Sequence, residues 1–319
     1  MSHNWVPIYG SVEINNGEIK FIPVPRPPSA DGQPPLAPHA FIRSNIPFEQ
    51  GVVEWEACLP DSESTCQISI NTPTQAEFFS GLNVLGAPFG FATVSFAGTW
   101  EGKGGAGQGS ILTPNQWYAL KLHVHGSNID LYVNQVKVLS TTATTSRGTL
   151  SLFMQSKGSV IVRNIRVQDE APICFVVMQF SSEFDSLYTD VIKPVCEQNG
   201  YKVVRADDFY NCGMIIDDVT RSIRECAVII ADVTPDNANV YYELGFAHGI
   251  GKLTILLCDR SREKLPFDIS GFRTIFYENT IAGKKQVEDR LEQHLSNLVQ
   301  DAPSSPLPMP TKPLPNPQY

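Results

Sequence analysis

The sequence predicts two successive domains, an all-β sandwich followed by an α/β domain with a five-stranded parallel sheet. Three observations support this prediction. The chain has 319 residues, which is longer than one typical domain. Its first half carries short alternating apolar segments separated by Gly, Pro, Asn and Ser. Its second half alternates short β-branched runs with apolar residues at helical spacing.

Residues 1–168 are predicted to form strands only. Typical segments are Val52–Ala57 and Gln67–Ile70, and Trp117–His125 with Ile129–Asn134 forms a predicted hairpin that turns at Gly126–Asn128. Because no helical pattern interrupts the series, it favours two packed sheets. The Gly-rich run Gly102–Gly109 and the Pro-rich residues 23–38 are predicted to be loops.

Residues 169–172 form a predicted connector, and residues 173–301 form the α/β domain. Its five predicted strands are Ile173–Met178, Tyr201–Ala206, Ala227–Ile230, Leu253–Leu257 and Thr274–Tyr277. Strands that alternate with helices require a parallel sheet with right-handed crossovers. The Pro/Ser-rich residues 302–319 are predicted to be a disordered tail.

The stretch Ala231–Gly245 lies between the third strand and the following helix. We expect the chain to turn at the carboxyl end of that strand and to enter a helix whose first turn carries Glu243. Ligands bind at this edge of open α/β sheets. A carboxylate at this edge is therefore expected to have a catalytic role and not a packing role.

The motif Asp232-x-Thr234-x-x-Asn237-x-Asn239-Val240-x-Tyr242-Glu243-Leu244-Gly245, followed by Ala247-His248 and Lys252, resembles the signature of the nucleoside 2-deoxyribosyltransferase-like and TIR-like superfamily. The resemblance covers about residues 173–279. It implies a flavodoxin-like sheet and cleavage of N-glycosidic bonds in nucleosides, nucleotides or NAD⁺.

The first domain resembles concanavalin A-like (LamG-like) jelly rolls. The resemblance is carried by Pro114–Tyr118, by Leu131-Tyr132-Val133-Asn134 and by Arg163–Val167. It implies a domain that binds sugars or protein surfaces, since only a few of its relatives hydrolyse glycans.

The first resemblance implies that Glu243 is the catalytic carboxylate, which stabilises or attacks an oxocarbenium-like sugar. At the start of the second helix, Asp217 or Asp218 matches an Asp of the deoxyribosyltransferases that binds sugar hydroxyls or transfers a proton. The remaining predicted site residues are expected to bind substrate phosphate, ribose or base. They are Phe180, Ser181, Ser182, Arg205, Asp207, Asp232, Asn237, Asn239 and Tyr242.

These residues favour cleavage of NAD⁺, as the substrate and not as a cofactor, because nicotinamide leaves as a neutral group and needs no general acid. The resemblance further implies a bacterial anti-phage effector that is activated by homo-oligomeric assembly. The alternatives are a nucleoside or nucleotide 2-deoxyribosyltransferase or N-glycosidase, and a non-catalytic nucleotide-binding or TIR-type scaffold. A glycan-processing enzyme would instead depend on Glu54 or Glu56.

Charge argues against a nucleic-acid polymer as the partner. Residues 1–168 carry ten Lys and Arg against eleven Asp and Glu, and the remainder carries fourteen against twenty-two, so most of the net charge of −9 lies in the second domain. No apolar run approaches the ~20 residues of a membrane span, and the N-terminus lacks a signal-peptide pattern. The expected location is therefore the cytoplasm.

No metal site and no cofactor is predicted from the sequence. The seven scattered cysteines form no C-x-x-C pair and are expected to be reduced thiols. His123 and His125 share one face of a strand, but the sequence indicates no third ligand, which favours solvated histidines. The sandwich is expected to bind a glycan, a protein or a small molecule.

Truncation before Ala302 is expected to leave the stability of the protein unchanged, because a Pro-rich tail buries too little surface to contribute. The measurement is the thermal unfolding midpoint of the truncated and full-length chains. A lower midpoint for the truncated chain would show that the tail docks on the folded protein.

Overall fold

A computed structural model describes residues 4–24, 37–72, 75–109, 111–206, 215–262, 264–272 and 274–299. The chain forms two compact units, and the main boundary between them is at Glu170–Ala171. Within the described residues, no helix is both long enough and apolar enough to cross a membrane. The predicted loop at residues 23–38 falls mainly, and the predicted tail wholly, outside the described residues.

The first unit is built from fourteen described strands. They are β1 (Trp5–Tyr9), β2 (Ser11–Asn15), β3 (Glu18–Ile22), β4 (His39–Phe48), β5 (Gly51–Cys58), β6 (Thr65–Ile70), β7 (Glu77–Val84), β8 (Ala87–Val94), β9 (Trp100–Ala106), β10 (Trp117–His125), β11 (Asn128–Val133), β12 (Val136–Thr142), β13 (Gly148–Gln155) and β14 (Ile161–Asp169).

These strands form two seven-stranded sheets. The first sheet has the order β1-β4-β13-β6-β7-β8-β9, and every neighbouring pair in it is antiparallel. The second sheet has the order β12-β11-β10-β5-β14-β3-β2. The predicted β-sandwich is confirmed.

Alternation along the strands places one face of each sheet in a shared core. In β5, for example, Val53, Trp55 and Ala57 are buried and the residues between them are partly exposed. One cluster of buried side chains from both sheets, including Trp55 and Phe21, fills the space between them. The first sheet also carries a second, smaller cluster on its outer face, and this face contains the candidate site.

The second unit contains a parallel sheet of five strands. They are β15 (Ile173–Val177), β16 (Lys202–Arg205), β17 (Val228–Asp232), β18 (Thr254–Asp259) and β19 (Thr274–Tyr277), in the order β16-β15-β17-β18-β19 with every neighbouring pair parallel. The predicted five-stranded parallel sheet is confirmed.

Helices cover both faces of this sheet. They are α1 (Ser182–Leu187), a π-helical turn (Tyr188–Ile192), α2 (Lys193–Gln198), α3 (Ile215–Glu225), α4 (Ala238–Gly249) and α5 (Ile281–Val299). Apolar side chains of α1, α2 and α5 pack on one face of the sheet. Those of α3 and α4 pack on the other. The two faces therefore have separate cores, as a fully buried parallel sheet requires.

Two sequence-based expectations are wrong in detail. Gly102–Ala106 is part of strand β9 and not of a loop, since its backbone pairs with β8 even though glycines weaken strand propensity. Glu243 lies in the second turn of α4 and not in the first, because Asn237 is the N-cap and the helix begins at Ala238. The favourable interaction of a first-turn carboxylate with the helix dipole is thus lost.

Substitution of Gly10 by alanine is expected to destabilise the sandwich more than the same substitution of Gly17. Both glycines have a φ of +80°, but a Cβ at Gly10 would lie 2.4 Å from the carbonyl oxygen of His39, whereas nothing lies within 4 Å at Gly17. The backbone conformation alone costs about 1 kcal/mol at Gly17, and overpacking raises the cost to about 2–4 kcal/mol at Gly10.

Urea unfolding followed by tryptophan fluorescence measures this difference, because all four tryptophans, Trp5, Trp55, Trp100 and Trp117, belong to the sandwich. Equal destabilisation by Gly10→Ala and Gly17→Ala would contradict the close approach of the β1–β2 turn to β4.

Candidate functional site

The outer face of the first sheet carries an aromatic cluster. Phe41, Phe79 and Phe153 are buried there, on β4, β7 and β13. The half-buried ring of Trp100 lies 4.7 Å from Phe79 and 5.9 Å from Phe153, measured between ring centroids. Tyr9, also half-buried, stacks on Phe41 at 5.8 Å. Trp100 and Tyr9 therefore border this face at its two sides.

An ion pair lies across the same face. Arg43 of β4 contacts Glu77 of β7 at 3.0 Å and also donates a hydrogen bond of 3.3 Å from Nε to the hydroxyl of Ser151. Strands β13 and β6 lie between β4 and β7. Because neighbouring strands are about 4.8 Å apart, the two side chains must extend along the face instead of standing perpendicular to it.

Two buried acceptors on this face accept no hydrogen bond of good geometry from the described residues. They are Oε2 of Glu77 and Oε1 of Gln67. Burial raises the pKa of Glu77 to about 7, against the opposing effects of Arg43 and Ser69. Buried acceptors without donors are rare in folded proteins and indicate a place where a ligand or water supplies the hydrogen. We call Arg43, Gln67, Glu77, Trp100 and Tyr9 the polar–aromatic face.

The outer face of the second sheet is different, because its aromatic rings are covered by cations. The guanidinium of Arg163 lies 3.7 Å from the ring centroid of Trp117, and the ammonium of Lys121 lies 4.0 Å from that of Tyr132. Arg163 also donates a hydrogen bond of 2.7 Å to Glu56 and lowers the pKa of that carboxyl.

An ion-paired Glu56 is a poor general acid, so the pair Glu54 and Glu56 does not fit the acid required of a glycosidase. The alternative of a glycan-processing enzyme built on these two residues is therefore not supported by this face.

In the α/β unit, several motif residues stabilise the turn after β17. The carboxylate of Asp232 is buried and accepts hydrogen bonds from the hydroxyl of Tyr277 at 2.7 Å and from the amide of Thr234 at 2.9 Å. The hydroxyl of Thr234 accepts a bond of 2.9 Å from the amide of Asp259. Burial raises the pKa of Asp232. A buried and fully engaged carboxylate has a structural role in this turn.

Asn237 and Lys252 also bind backbone groups. Oδ1 of Asn237 accepts from the amides of Asn239 at 3.0 Å and Val240 at 3.4 Å, which caps α4. Nδ2 of Asn237 donates to Gln179 at 3.3 Å and so connects α4 with the end of β15. Nζ of Lys252 donates to the carbonyl of Arg224 at 2.7 Å, near the carboxyl end of α3.

Three predicted substrate-binding residues lie together at the ends of β15 and β16. The guanidinium of Arg205 is 5.4 Å from the ring centroid of Phe180, which is 53% exposed, and it pairs with Asp185 at 2.9 Å. Ser181 precedes α1, and its buried hydroxyl has no hydrogen-bond partner among the described residues. A substrate phosphate at Arg205 would have to compete with Asp185.

Glu243 is half-buried on α4, and burial raises the pKa of its carboxyl from 4.5 to about 7. No described residue forms an ion pair with it. Asp218 pairs with Arg221, its neighbour on α3. The structure does not bring these two carboxylates into a described contact.

The remaining predicted site residues are at the surface or outside the described part of the chain. Ser182, Asp217, Asn239 and Tyr242 are exposed on α1, α3 and α4. Asp207 lies outside the described residues.

A cavity of about 760 Å³ opens at the carboxyl ends of β17, β18 and β19. Its lining includes Thr234, Asp259, Arg260, Tyr277 and Lys284. None of the predicted site residues lines it. The cavity is related to the motif only through two of its lining residues. Thr234 and Tyr277 both donate hydrogen bonds to the motif residue Asp232.

No protein-family model and no curated protein sequence matches this chain. Solved structures match about half of it. A carbohydrate-binding module from Bacillus subtilis is 14% identical, with a TM-score of 0.39, over 50% of this chain and 92% of its own. A prokaryotic β-1,3-1,4-glucanase from a mouse hindgut metagenome is 12% identical, with a TM-score of 0.36, over 50% and 90%. A κ-carrageenase from Pseudoalteromonas carrageenovora is 12% identical, with a TM-score of 0.32, over 47% and 79%.

These comparisons contradict the prediction of NAD⁺ cleavage. Those three structures are a carbohydrate-binding module, a glucanase and a carrageenase, and none of them is TIR-like or deoxyribosyltransferase-like. The predicted anti-phage role and the nucleoside and nucleotide alternatives are wrong for the same reason. The engagement of Asp232, Asn237 and Lys252 in backbone contacts explains how the motif can recur for structural reasons.

Sequence reasoning missed the polar–aromatic face. Arg43, Gln67 and Glu77 lie in strands that contain both polar and apolar residues, a pattern typical of a sheet with one solvated face. Only the pairing of β4, β13, β6 and β7 brings them together. The sequence of β6 carries no signal of this face, because Cys66, Ile68 and Ile70 alternate with polar residues as they would in a strand with one solvated face.

Glu243→Gln is expected to stabilise the α/β unit at pH 8 and to have little effect at pH 5. The pKa of Glu243 is raised in the folded state, so protonation stabilises the fold at low pH, and this contribution is lost as the pH rises towards 7. A neutral amide avoids that loss, which amounts to about 1–2 kcal/mol at pH 8 after allowance for partial exposure.

Urea unfolding followed by circular dichroism at helical wavelengths measures this effect, because all described helices belong to the α/β unit. Glu197→Gln, at an exposed position of α2, is the matched control. A stabilisation that is the same at both pH values would show that Glu243 does not titrate in this range.

Proposed function

We propose that the sandwich is a glycan-binding module and that the polar–aromatic face is its binding surface. The observation that carries this proposal is the half-buried ring of Trp100 together with the partly exposed Arg43, on a face where two buried acceptors, Oε2 of Glu77 and Oε1 of Gln67, accept no well-formed hydrogen bond from the described residues. Sugar hydroxyls accept hydrogen bonds from a guanidinium, and aromatic rings pack against the apolar faces of sugars.

Arg43 adds specificity to this surface. Its side chain is 24% exposed and already pairs with Glu77, so a bound hydroxyl or acidic sugar can contact the guanidinium without displacing a buried charge. The guanidinium is the exposed member of this network, so a glycan contacts Arg43 while Glu77 stays buried.

Binding without hydrolysis fits the described face better than catalysis. Glycosidases generally use two carboxyl groups on opposite sides of the scissile bond. Among the described residues of the polar–aromatic face, Glu77 is the single carboxyl group. Its pKa of about 7 would suit a general acid, so hydrolysis remains the outcome that the binding experiment must also measure.

For the second unit we propose a flavodoxin-like fold with Glu243 as a general acid–base group. The strand order β16-β15-β17-β18-β19 supports the first part, because it places the switch point between β15 and β17. The raised pKa of Glu243 and its lack of an ion-pair partner among the described residues support the second part.

Trp100→Ala is expected to weaken glycan binding at least tenfold, which corresponds to about 1.4 kcal/mol. The measurement is affinity electrophoresis of the full-length chain in gels that contain β-1,3-1,4-glucan or κ-carrageenan. The matched control is Trp117→Ala on the second sheet, whose ring is covered by Arg163. Equal retardation of both variants would place the binding surface elsewhere.

Glu77→Gln separates binding from hydrolysis in the same system. The variant keeps one acceptor but loses the charge that pairs with Arg43, so weaker retardation is expected. Reducing-sugar release is measured in parallel. Release by the wild-type protein that Glu77→Gln abolishes would replace the binding module with a glycosidase, and absence of retardation by either polysaccharide would reject both glycans as ligands.

A further inference from the structure

The hairpin of β10 and β11 brings three metal-ligating side chains together. His123 and His125 lie two residues apart on β10 and therefore share one face of the strand. Asp130 lies on β11, the next strand of the same sheet. One donor atom from each of these side chains lies within 4.8 Å of the other two. The third ligand, which the sequence did not indicate, is thus supplied by the neighbouring strand.

The spacing of the three donors fits one small cation. Zinc binds imidazole nitrogen and carboxylate oxygen at about 2.0–2.2 Å, so two ligands of a tetrahedral ion lie about 3.4 Å apart. The three donors are at most 4.8 Å apart, so rotations of the side chains can bring them to this spacing. No change of the backbone pairing is required.

The carboxylate of Asp130 is held in place by further contacts. Its side chain is buried, and Oδ1 accepts a hydrogen bond of 2.6 Å from the hydroxyl of Ser140 and contacts Nζ of Lys137 at 2.9 Å. Both partners belong to β12, which pairs with β11 on the side opposite to β10. A hydroxyl such as that of Ser140 can orient a ligating carboxylate as an outer partner of a metal site.

We propose that His123, His125 and Asp130 form a binding site for one divalent transition-metal ion, for which Zn²⁺ is the best match. Two imidazoles and one carboxylate are a ligand set typical of zinc, whereas magnesium and calcium prefer oxygen ligands only. Three protein ligands leave a fourth position for water or for an oxygen of a bound molecule.

Lys137 gives this site a distinctive property. Its ammonium lies 2.9 Å from the same carboxylate that the metal uses. The cation and the ammonium therefore compete for the negative charge of Asp130. Removal of the ammonium strengthens metal binding at this site, whereas it leaves binding to unrelated surface histidines unchanged.

The test is calorimetric titration of the untagged full-length chain with ZnCl₂. We expect one zinc ion per chain. His123→Ala and Asp130→Asn each weaken binding at least about tenfold, and Ser140→Ala, which removes an outer partner, weakens it by about tenfold. Lys137→Met strengthens binding. His294→Gln, in α5 of the other unit, is the matched control and leaves the affinity unchanged.

Tryptophan fluorescence and circular dichroism verify the fold of each variant before titration. The proposal is overturned if the wild-type chain does not bind zinc, or if folded His123→Ala and Asp130→Asn bind zinc as the wild type does. An unchanged or weaker affinity of Lys137→Met also overturns it, because that result removes Asp130 from the ligand set. Absorption spectra with Co²⁺ in place of Zn²⁺ report whether the coordination is tetrahedral.

Discussion

Burial of the first sheet on both faces is the constraint on which the candidate site depends. A sandwich sheet normally places one face in the core and leaves the other to water. Here the outer face also carries fully buried rings, Phe41, Phe79 and Phe153. Polar side chains on that face therefore lie in a medium of low polarity, where a missing hydrogen bond or an unpaired charge has a large effect. The ion pair with Arg43 gives the buried carboxyl group of Glu77 a partner of opposite charge.

The pKa values of two glutamates on the outer faces of the two sheets are shifted in opposite directions. Glu77 and Glu56 both lie on outer faces and both contact an arginine, yet the pKa of Glu77 is raised and that of Glu56 is lowered. Burial dominates at Glu77, whereas at Glu56 the hydrogen bond from Arg163 dominates because the carboxylate remains in contact with water. The direction of each pKa shift thus depends on how deeply the carboxyl group is buried on its own sheet.

In the α/β unit, most polar residues of the central motif stabilise the backbone. Asp232 holds the turn after β17, Asn237 caps α4, and Lys252 binds a carbonyl near the end of α3. Such roles follow from the geometry of a strand–turn–helix unit and do not require a particular substrate. Glu243 differs from these three residues, because its raised pKa arises from burial with no compensating ion pair among the described residues. Its role in the motif is therefore not explained by the fold.

The sequence by itself determined the two architectures and most strand positions, since period-two and helical periodicities are local properties of the chain. It also led to the prediction of Glu243 as a catalytic carboxylate, because the strand-to-helix stretch is continuous in sequence, and this role stays a prediction. Only the tertiary structure decided which strands are neighbours. That pairing placed Arg43 against Glu77 and Asp130 beside His123. Both contacts join residues of different strands. The burial that sets the pKa of a side chain depends on how the sheets pack, and a local sequence pattern does not contain this information.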